Sequence, residues 1–308
     1  MIEIIGNTSV CPDCQRCIAS CPRGALVFQR GQPQVLADKC LSDGHCLAAC
    51  PRGLIQVPSQ LAKVKAWLAN GHDVAVSLAP SYTVLAKEPL RIVAALRKLG
   101  FCRVEETISV LEETIRSRIR LAEGSGGPLF SSSCPSVVAL MRREFPHLLQ
   151  YLPPLPSPMA AHSRVLREKL GNGGKVVFIG PCHAKKREAA AEEGAADGVL
   201  TFTELWTWLQ DEGIQLDSLP EESVDGDYEP TSRIGLLAMT ASGLDRCRDF
   251  LAAFRPDEEG PRILELLACP GGCLYGPGMP PLADRETILL DQLNREGGTR
   301  SEDGDSHR

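Results

Sequence analysis

The sequence predicts an α/β fold with mostly parallel sheets, preceded by a small α+β module. Three observations predict it. Seven of the 13 cysteines fall in the first 58 residues, in two copies of one pattern. From Leu61 onward, short apolar strands alternate with amphipathic helices, which is how parallel sheets are built. Four later cysteines sit at strand-to-helix or strand-to-loop junctions, the edge where open α/β sheets gather ligands. The boundaries expected are 1–58 for the small module, 59–294 for the large domain, and a polar, glycine-rich, disordered tail over 295–308.

The module reads first. Cys11–Pro22 is C-P-D-C-Q-R-C-I-A-S-C-P and Cys40–Pro51 is C-L-S-D-G-H-C-L-A-A-C-P. Each is followed by Arg-Gly and a short apolar run, with a turn at Arg30-Gly31-Gln32-Pro33 between the copies. The spacing C-x2-C-x2-C-x3-C-P resembles the bacterial ferredoxin signature, in which three cysteines hold one [4Fe–4S] cube and the fourth crosses to the other. That resemblance implies one cluster on Cys11, Cys14, Cys17 and Cys50, and another on Cys21, Cys40 and Cys46. The second copy has Asp43 where a cysteine is expected. Asp43 either ligates the fourth iron, leaves a [3Fe–4S] cluster with an empty corner, or yields to His45. A structural zinc site is the plainer use of clustered cysteines, but a zinc ribbon does not need this many ligand positions in two copies.

The large domain follows element by element. Leu61, Val64 and Leu68 mark a helix closed by Gly71, and Asp73–Leu78 a buried strand. Ile92, Leu96 and Leu99 mark a second helix stopped at Gly100. Ile108, Leu111, Ile115, Ile119 and Ala122 form the clearest amphipathic stripe. Leu129–Ser131 and Lys175–Gly180 read as strands that lead into a cysteine and then a helix. Ser157-Pro158 and Thr203 are expected helix starts, because a hydroxyl caps free amides and proline suits the first turn. A strand at Ile234–Met239, a helix at Leu244–Phe254 and a strand at Ile263–Leu267 complete the domain.

Net charge of −6 and the lack of a basic, aromatic-interleaved stripe argue against a nucleic-acid partner. The N-terminus does not read as a secretory signal, and the apolar runs Val74–Pro80 and Val176–Gly180 are too short to span a bilayer. The expectation is a soluble, cytoplasmic protein, where clustered cysteines hold metal or do redox chemistry.

The junction cysteines lie in Phe130-Ser131-Ser132-Ser133-Cys134-Pro135, Gly180-Pro181-Cys182-His183-Ala184-Lys185-Lys186 and Ala268-Cys269-Pro270-Gly271-Gly272-Cys273. With Ser77-Leu78-Ala79-Pro80, the segment from Ala94 to Phe101 and Ser157-Pro158-Met159, these motifs resemble the catalytic domain of [FeFe] hydrogenases over residues 60–280. The resemblance implies an [FeFe]-hydrogenase-like large domain behind a ferredoxin-like one. It also implies a [4Fe–4S] cube on Cys134, Cys182, Cys269 and Cys273. Cys273 would bridge the cube to a diiron unit with CO and cyanide ligands, inserted by maturation proteins. Reversible reduction of protons to H2 would follow, with an electron-carrier protein as partner, either ferredoxin-like or a redox enzyme subunit.

Three departures bear on that activity. Ser133 stands where the family has a proton-delivering cysteine, and a serine hydroxyl is a far poorer acid than a thiol. Gly180 replaces a methionine, which would loosen packing near the diiron unit. The segment after Cys273 is L-Y-G-P-G-M-P instead of glycine-rich. Lys185 remains as the family's cyanide-facing lysine. These substitutions resemble those of sensory hydrogenases. Two other functions fit: a non-catalytic electron-transfer or redox-sensing protein carrying only cubes, and an iron–sulfur assembly factor. Cys102 and Cys247 read as buried structural thiols and His183 as an exposed helix-start residue. Trp206 and Trp208 read as core and surface aromatics, and His72, His147 and His162 lack metal-ligand spacing.

Overall fold

The computed structural model describes residues 3–4, 11–29, 32–110, 116–117, 120–121, 124, 127–226, 238–256, 263–281 and 287. In the N-terminal part, β1 (Glu3–Ile4) pairs antiparallel with β4 (Ile55–Gln56), and β2 (Leu26–Gln29) with β3 (Gln32–Val35). Two short helices, α1 (Arg16–Ala19) and α2 (His45–Ala49), lie one within each copy of the cysteine repeat. The packed centre of this part is Ala25, Leu26, Cys40, Cys46 and Ile55, with Cys17, Cys21 and Cys50 against it. Cysteines occupy places where a domain of this size ordinarily needs aliphatic side chains.

Behind it stand two parallel sheets. The first has the order β6-β5-β8-β9, from β5 (Val74–Leu78), β6 (Arg103–Glu106), β8 (Lys175–Gly180) and β9 (Gly198–Thr201). All its pairings are parallel, and β5 is buried at every position because helices cover both faces. The second sheet has the order β10-β11-β7, from β7 (Leu129–Phe130), β10 (Ala238–Ser242) and β11 (Ile263–Leu267), also parallel throughout. The helices are α3 (Leu61–Ala69), α4 (Leu90–Lys98), α5 (Pro135–Glu144), α6 (Pro158–Leu170), α7 (Ala184–Ala191), α8 (Phe202–Asp211) and α9 (Leu244–Ala253). Each sheet has its own core. Val76, Leu78, Leu96, Val177 and Leu200 belong to the first, and Phe130, Leu140, Leu251 and Leu264 to the second.

Most expected elements lie within a residue or two of their expected bounds, and the differences have local causes. Ser157 caps α6 by accepting from the Ala160 amide, as its Ser-Pro sequence suggests. At α8 the cap is Thr201, not Thr203. Thr201 and Glu204 form a reciprocal capping box, while Thr203 Oγ1 donates to the Gly278 carbonyl at 3.1 Å. Of the stripe from Ile108 to Ala122, Ile108 lies in a 3-10 turn (Thr107–Val110), and the other four residues fall outside the described set. So do residues 234–237 of the expected strand and the 295–308 tail. Among the described residues, no helix is long and apolar enough to cross a membrane.

Candidate metal centres

The repeat builds the same turn twice. In Cys21-Pro22-Arg23-Gly24-Ala25 the Gly24 amide donates to the Cys21 carbonyl at 3.1 Å, and the Ala25 amide to Cys21 Sγ at 3.3 Å. In Cys50-Pro51-Arg52-Gly53-Leu54 the equivalents are 3.1 Å and 3.4 Å. Both glycines take positive φ, +56° and +61°, so the Arg-Gly after each C-P is what turns an amide back onto the sulfur. Burial pushes the Cys50 thiol up, but the amides of Arg52, Leu54, Ile55 and Gly53 outweigh it and hold Cys50 below its ordinary value.

The structure sorts the module's cysteines into two groups. Cys11, Cys14, Cys17 and Cys50 line one small cavity with Pro12, Phe28, Pro33, Pro51, Leu54 and Ile55. Cys21, Cys40 and Asp43 all surround Cys46, whose thiol burial and these three neighbours push up to about 12. The crossing of Cys21 and Cys50 between the two repeats is therefore visible as proximity. Asp43 is nearly buried, and its Oδ1 lies 3.0 Å from both the His45 amide and His45 Nδ1. The two candidates for a fourth ligand are thus bonded to each other.

In the large domain, β7, β8 and β11 each run directly into a cysteine loop. Cys134 starts α5, Cys182 precedes α7, and Cys269 and Cys273 follow β11. The four thiols converge from both sheets. Burial pushes Cys182 up to about 11, and the like charge of a neighbouring Cys134 thiolate adds to it. Burial and then Cys182 and Cys134 push Cys273 up to about 12. Cys269 is raised further, by burial and then Cys182, Cys134, Cys273 and Asp43. Such a set cannot all be thiolate unless a cationic centre sits among them, so the donor chemistry fits an iron–sulfur cube. Cys273 sits deep yet keeps an exposed surface, so it faces open space. Among the described residues, no three His, Cys, Asp or Glu side chains meet closely enough for a single metal ion. A cube spreads its ligands over four irons, so its sulfurs stand further apart.

The loop after Cys273 locks the two sheets together. The Gly278 amide donates to the Pro181 carbonyl at 2.9 Å, and a Cβ at Gly276 or Gly278 would stand 2.6 or 2.8 Å from that oxygen. The G-P-G spacing of this loop therefore follows from a close backbone approach.

Lys185 is buried, donates to Ser157 Oγ at 3.1 Å and forms an ion pair with Glu188 Oε2 at 2.6 Å. Its two partners lie on the wall of a groove of about 1360 Å³ that also includes Ser132, Pro135 and Ala184. Ser133 Oγ is 2.8 Å from Ser131 Oγ. Gly180 does not loosen the packing: an added Cβ would meet the Phe178 ring at 2.7 Å and Ala79 at 2.9 Å, so that ring fills the space.

Matches to known proteins follow this geometry. The family described as "Iron only hydrogenase large subunit, C-terminal domain" matches residues 72–238 and 229–277, more than half of the chain. The chain belongs to this family. A "4Fe-4S dicluster domain" matches residues 10–54 of this hydrogenase-family chain. It is 26% identical over 351 residues to the NADP-reducing hydrogenase subunit HndD of Solidesulfovibrio fructosivorans, covering 88% of this chain and 56% of that one. It thus spans about half the length of that relative. It is 28% identical over 141 residues to the cytosolic Fe-S cluster assembly factor NAR1 of Sclerotinia sclerotiorum, covering 39% of this chain and 23% of that one. A variant of [FeFe]-hydrogenase HydA1 from Chlamydomonas reinhardtii shares the fold, with a TM-score of 0.64 at 21% identity over 77% of this chain and 88% of that one.

Several side chains differ from expectation. Cys102, one residue before β6, is exposed, whereas Cys247 is buried with its thiol directed at the Leu267 carbonyl. His183 is half-buried at the start of α7. Trp208 is buried and Trp206 half-buried. Sequence reasoning missed a network on His162, which is fully buried between Ser77 Oγ at 2.8 Å and Glu105 Oε2 at 3.4 Å. Glu105 also binds Lys169 and Arg103. The network joins β5, β6 and α6, and no local sequence signal marked it.

Proposed function

We propose that this chain is an iron–sulfur redox protein of the [FeFe]-hydrogenase type, of low turnover or sensory. Electrons from a carrier protein enter at the clusters of residues 11–50 and pass to a centre on Cys134, Cys182, Cys269 and Cys273. The observation that carries this reading is the meeting of those four thiols, drawn from two sheets, beside a buried lysine whose partners Ser157 and Glu188 line a large groove. These thiols would hold a [4Fe–4S] cube, and Cys273, which faces open space, would join it to a diiron unit. When bound, that unit supplies the redox chemistry that interconverts H2 with protons and electrons.

The chain's own residues do the rest. Ser157 and Glu188 fix the Lys185 ammonium, so a fixed positive charge faces whatever anionic ligand lies beside it. Glu188 keeps that ammonium neutralised until an anion replaces it. Ser133 and Ser131 share a hydrogen bond, and neither hydroxyl is acidic near neutral pH, so proton delivery through them is slow. The loop from Gly276 to Pro280 closes the seam between the two sheets.

That same serine pair favours a second reading, a redox-sensing or electron-transfer protein that holds only cubes. Infrared spectra of protein matured with the hydrogenase assembly machinery separate the two. Bands of iron-bound CO and cyanide are expected; cube signals without those bands after maturation would leave the second reading.

A further inference from the structure

Two guanidinium groups of the large domain meet on one main-chain oxygen of the cysteine module. Arg143, in the last turn of α5, donates from Nη1 to the Cys40 carbonyl at 2.8 Å, and its Nη2 lies 3.4 Å from the Ala37 carbonyl. Arg187, in α7, donates from Nη1 to the same Cys40 oxygen at 2.7 Å. A third arginine, Arg23, pairs with Glu144 next in sequence to Arg143. One carbonyl dipole does not balance two like charges placed on it; the Cys40 thiolate and then Asp38 act on Arg143 in the stabilising sense, against Arg187 and Arg23. The Cys21, Cys40 and Cys46 thiolates with Asp43 supply a negative centre when loaded with iron. The first site is different: Pro12, Phe28, Pro33, Pro51, Leu54 and Ile55 line it.

We infer that Arg143 and Arg187 are positioning residues that raise the reduction potential of the Cys21–Cys40–Cys46 cluster and leave that of the Cys11–Cys14–Cys17–Cys50 cluster unchanged. The inference rests on the cluster assignment proposed above. Reduction adds one electron and one unit of negative charge to the cluster and breaks no bond. The electron comes from a one-electron carrier by way of the first cluster and leaves for the large-domain cube. Fixed positive charges stabilise the reduced form, and net charge and hydrogen bonding are the protein's main controls over cluster potential. The same arginines link the sites physically, since α5 begins directly after Cys134 and α7 begins two residues after Cys182. Asp43 acts in the opposite sense, so changing the arginines, and not comparing the two clusters, isolates their effect.

The test is a redox titration of the full, anaerobically reconstituted chain, with each cluster followed by electron paramagnetic resonance. Arg143→Gln, Arg187→Gln, the double variant and both lysine variants are compared with the natural chain. Either glutamine variant alone leaves one guanidinium on the Cys40 carbonyl, which keeps the loop in place. The single glutamine variants are expected to lower the potential of one N-terminal cluster. The double variant should lower its reduced-to-oxidised ratio about tenfold at fixed potential, about 59 mV for one electron. The lysine variants should restore most of it. Unchanged potentials in the single variants would overturn the inference. So would equal shifts in both clusters, or lysine variants shifted as far as the glutamine ones. If the natural chain binds only one N-terminal cluster by iron count, the underlying assignment fails, and the inference falls with it.

Discussion

Replacing Gly44 with alanine tests the seam between the module and the large domain. Gly44 caps α2 with φ +86°, and an added Cβ would stand 2.6 Å from Pro277 Cγ and 2.9 Å from Pro277 Cβ. Left-handed backbone costs an L-residue about 1–2 kcal/mol, and overpacking a close contact adds roughly 1–3 kcal/mol. The expected loss is therefore about 3 kcal/mol, since Pro277 lies on the loop pinned to Pro181 and has little room to retreat. Gly53 is the control: its φ is +61° and nothing lies within 4 Å of an added Cβ. Gly53→Ala should lose only about 1 kcal/mol. Anaerobic melting followed by cluster absorbance, at one scan rate, should show Gly44→Ala falling by roughly 6 °C and Gly53→Ala by roughly 2 °C. Slower reduction of the large-domain cube should accompany the first change only. Melting of the two variants within about 1 °C of each other would refute a close-packed seam at Pro277.

Three further outcomes are expected. Burial alone would raise the Glu105 carboxyl, but hydrogen bonds from His162, Lys169 and Arg103 hold it at about 2, below the ordinary 4.5. Its contribution is present above pH 4.5 and is lost as pH falls toward 2, so Glu105→Gln should cost about 2 kcal/mol at neutral pH, after screening at the exposed Lys169 and Arg103. Denaturant midpoints should show the difference between variant and natural chain narrowing below pH 4.5. Asp43→Ala should lower the iron bound by about one atom per chain while Asp43→Cys keeps it, by colorimetric iron analysis; equal iron in all three would remove Asp43 as a ligand. Ser133→Cys should raise hydrogen turnover several-fold at unchanged iron content, as a more acidic group takes the relay position; equal or lower gas evolution would count against that relay.

What the sequence revealed divides along physical lines. Cysteine spacing is local and carries the resemblance to bacterial ferredoxins, and it is that resemblance that implied the grouping of Cys11, Cys14, Cys17 and Cys50 apart from Cys21, Cys40 and Cys46. The junction cysteines were readable because parallel strands must end in loops at one edge. Contacts that depend on distant partners were not. Arg143 and Arg187 sit on helices where charged residues ordinarily face water, and nothing local marks them as clamps on Cys40. Ser77, Glu105 and His162 are far apart in sequence, and their network depends on sheet order. Thr203 looked like a cap because its own sequence permits one, yet Thr201 has the Glu204 partner that completes it. Gly180 suggested slack only because the Phe178 ring, two residues earlier, was not known to turn back over it.

Cysteines make up five of the twelve residues packed at the centre of the first fifty-odd, and that has a consequence for how the protein comes into being. So small an aliphatic centre leaves much of the packing to ligand side chains, so loading the clusters is expected to stabilise the hairpin and short helices. A freshly synthesised chain waiting for metal offers its N-terminal stretch to proteases, and the amount of finished protein in a cell should therefore follow iron supply as closely as it follows transcription.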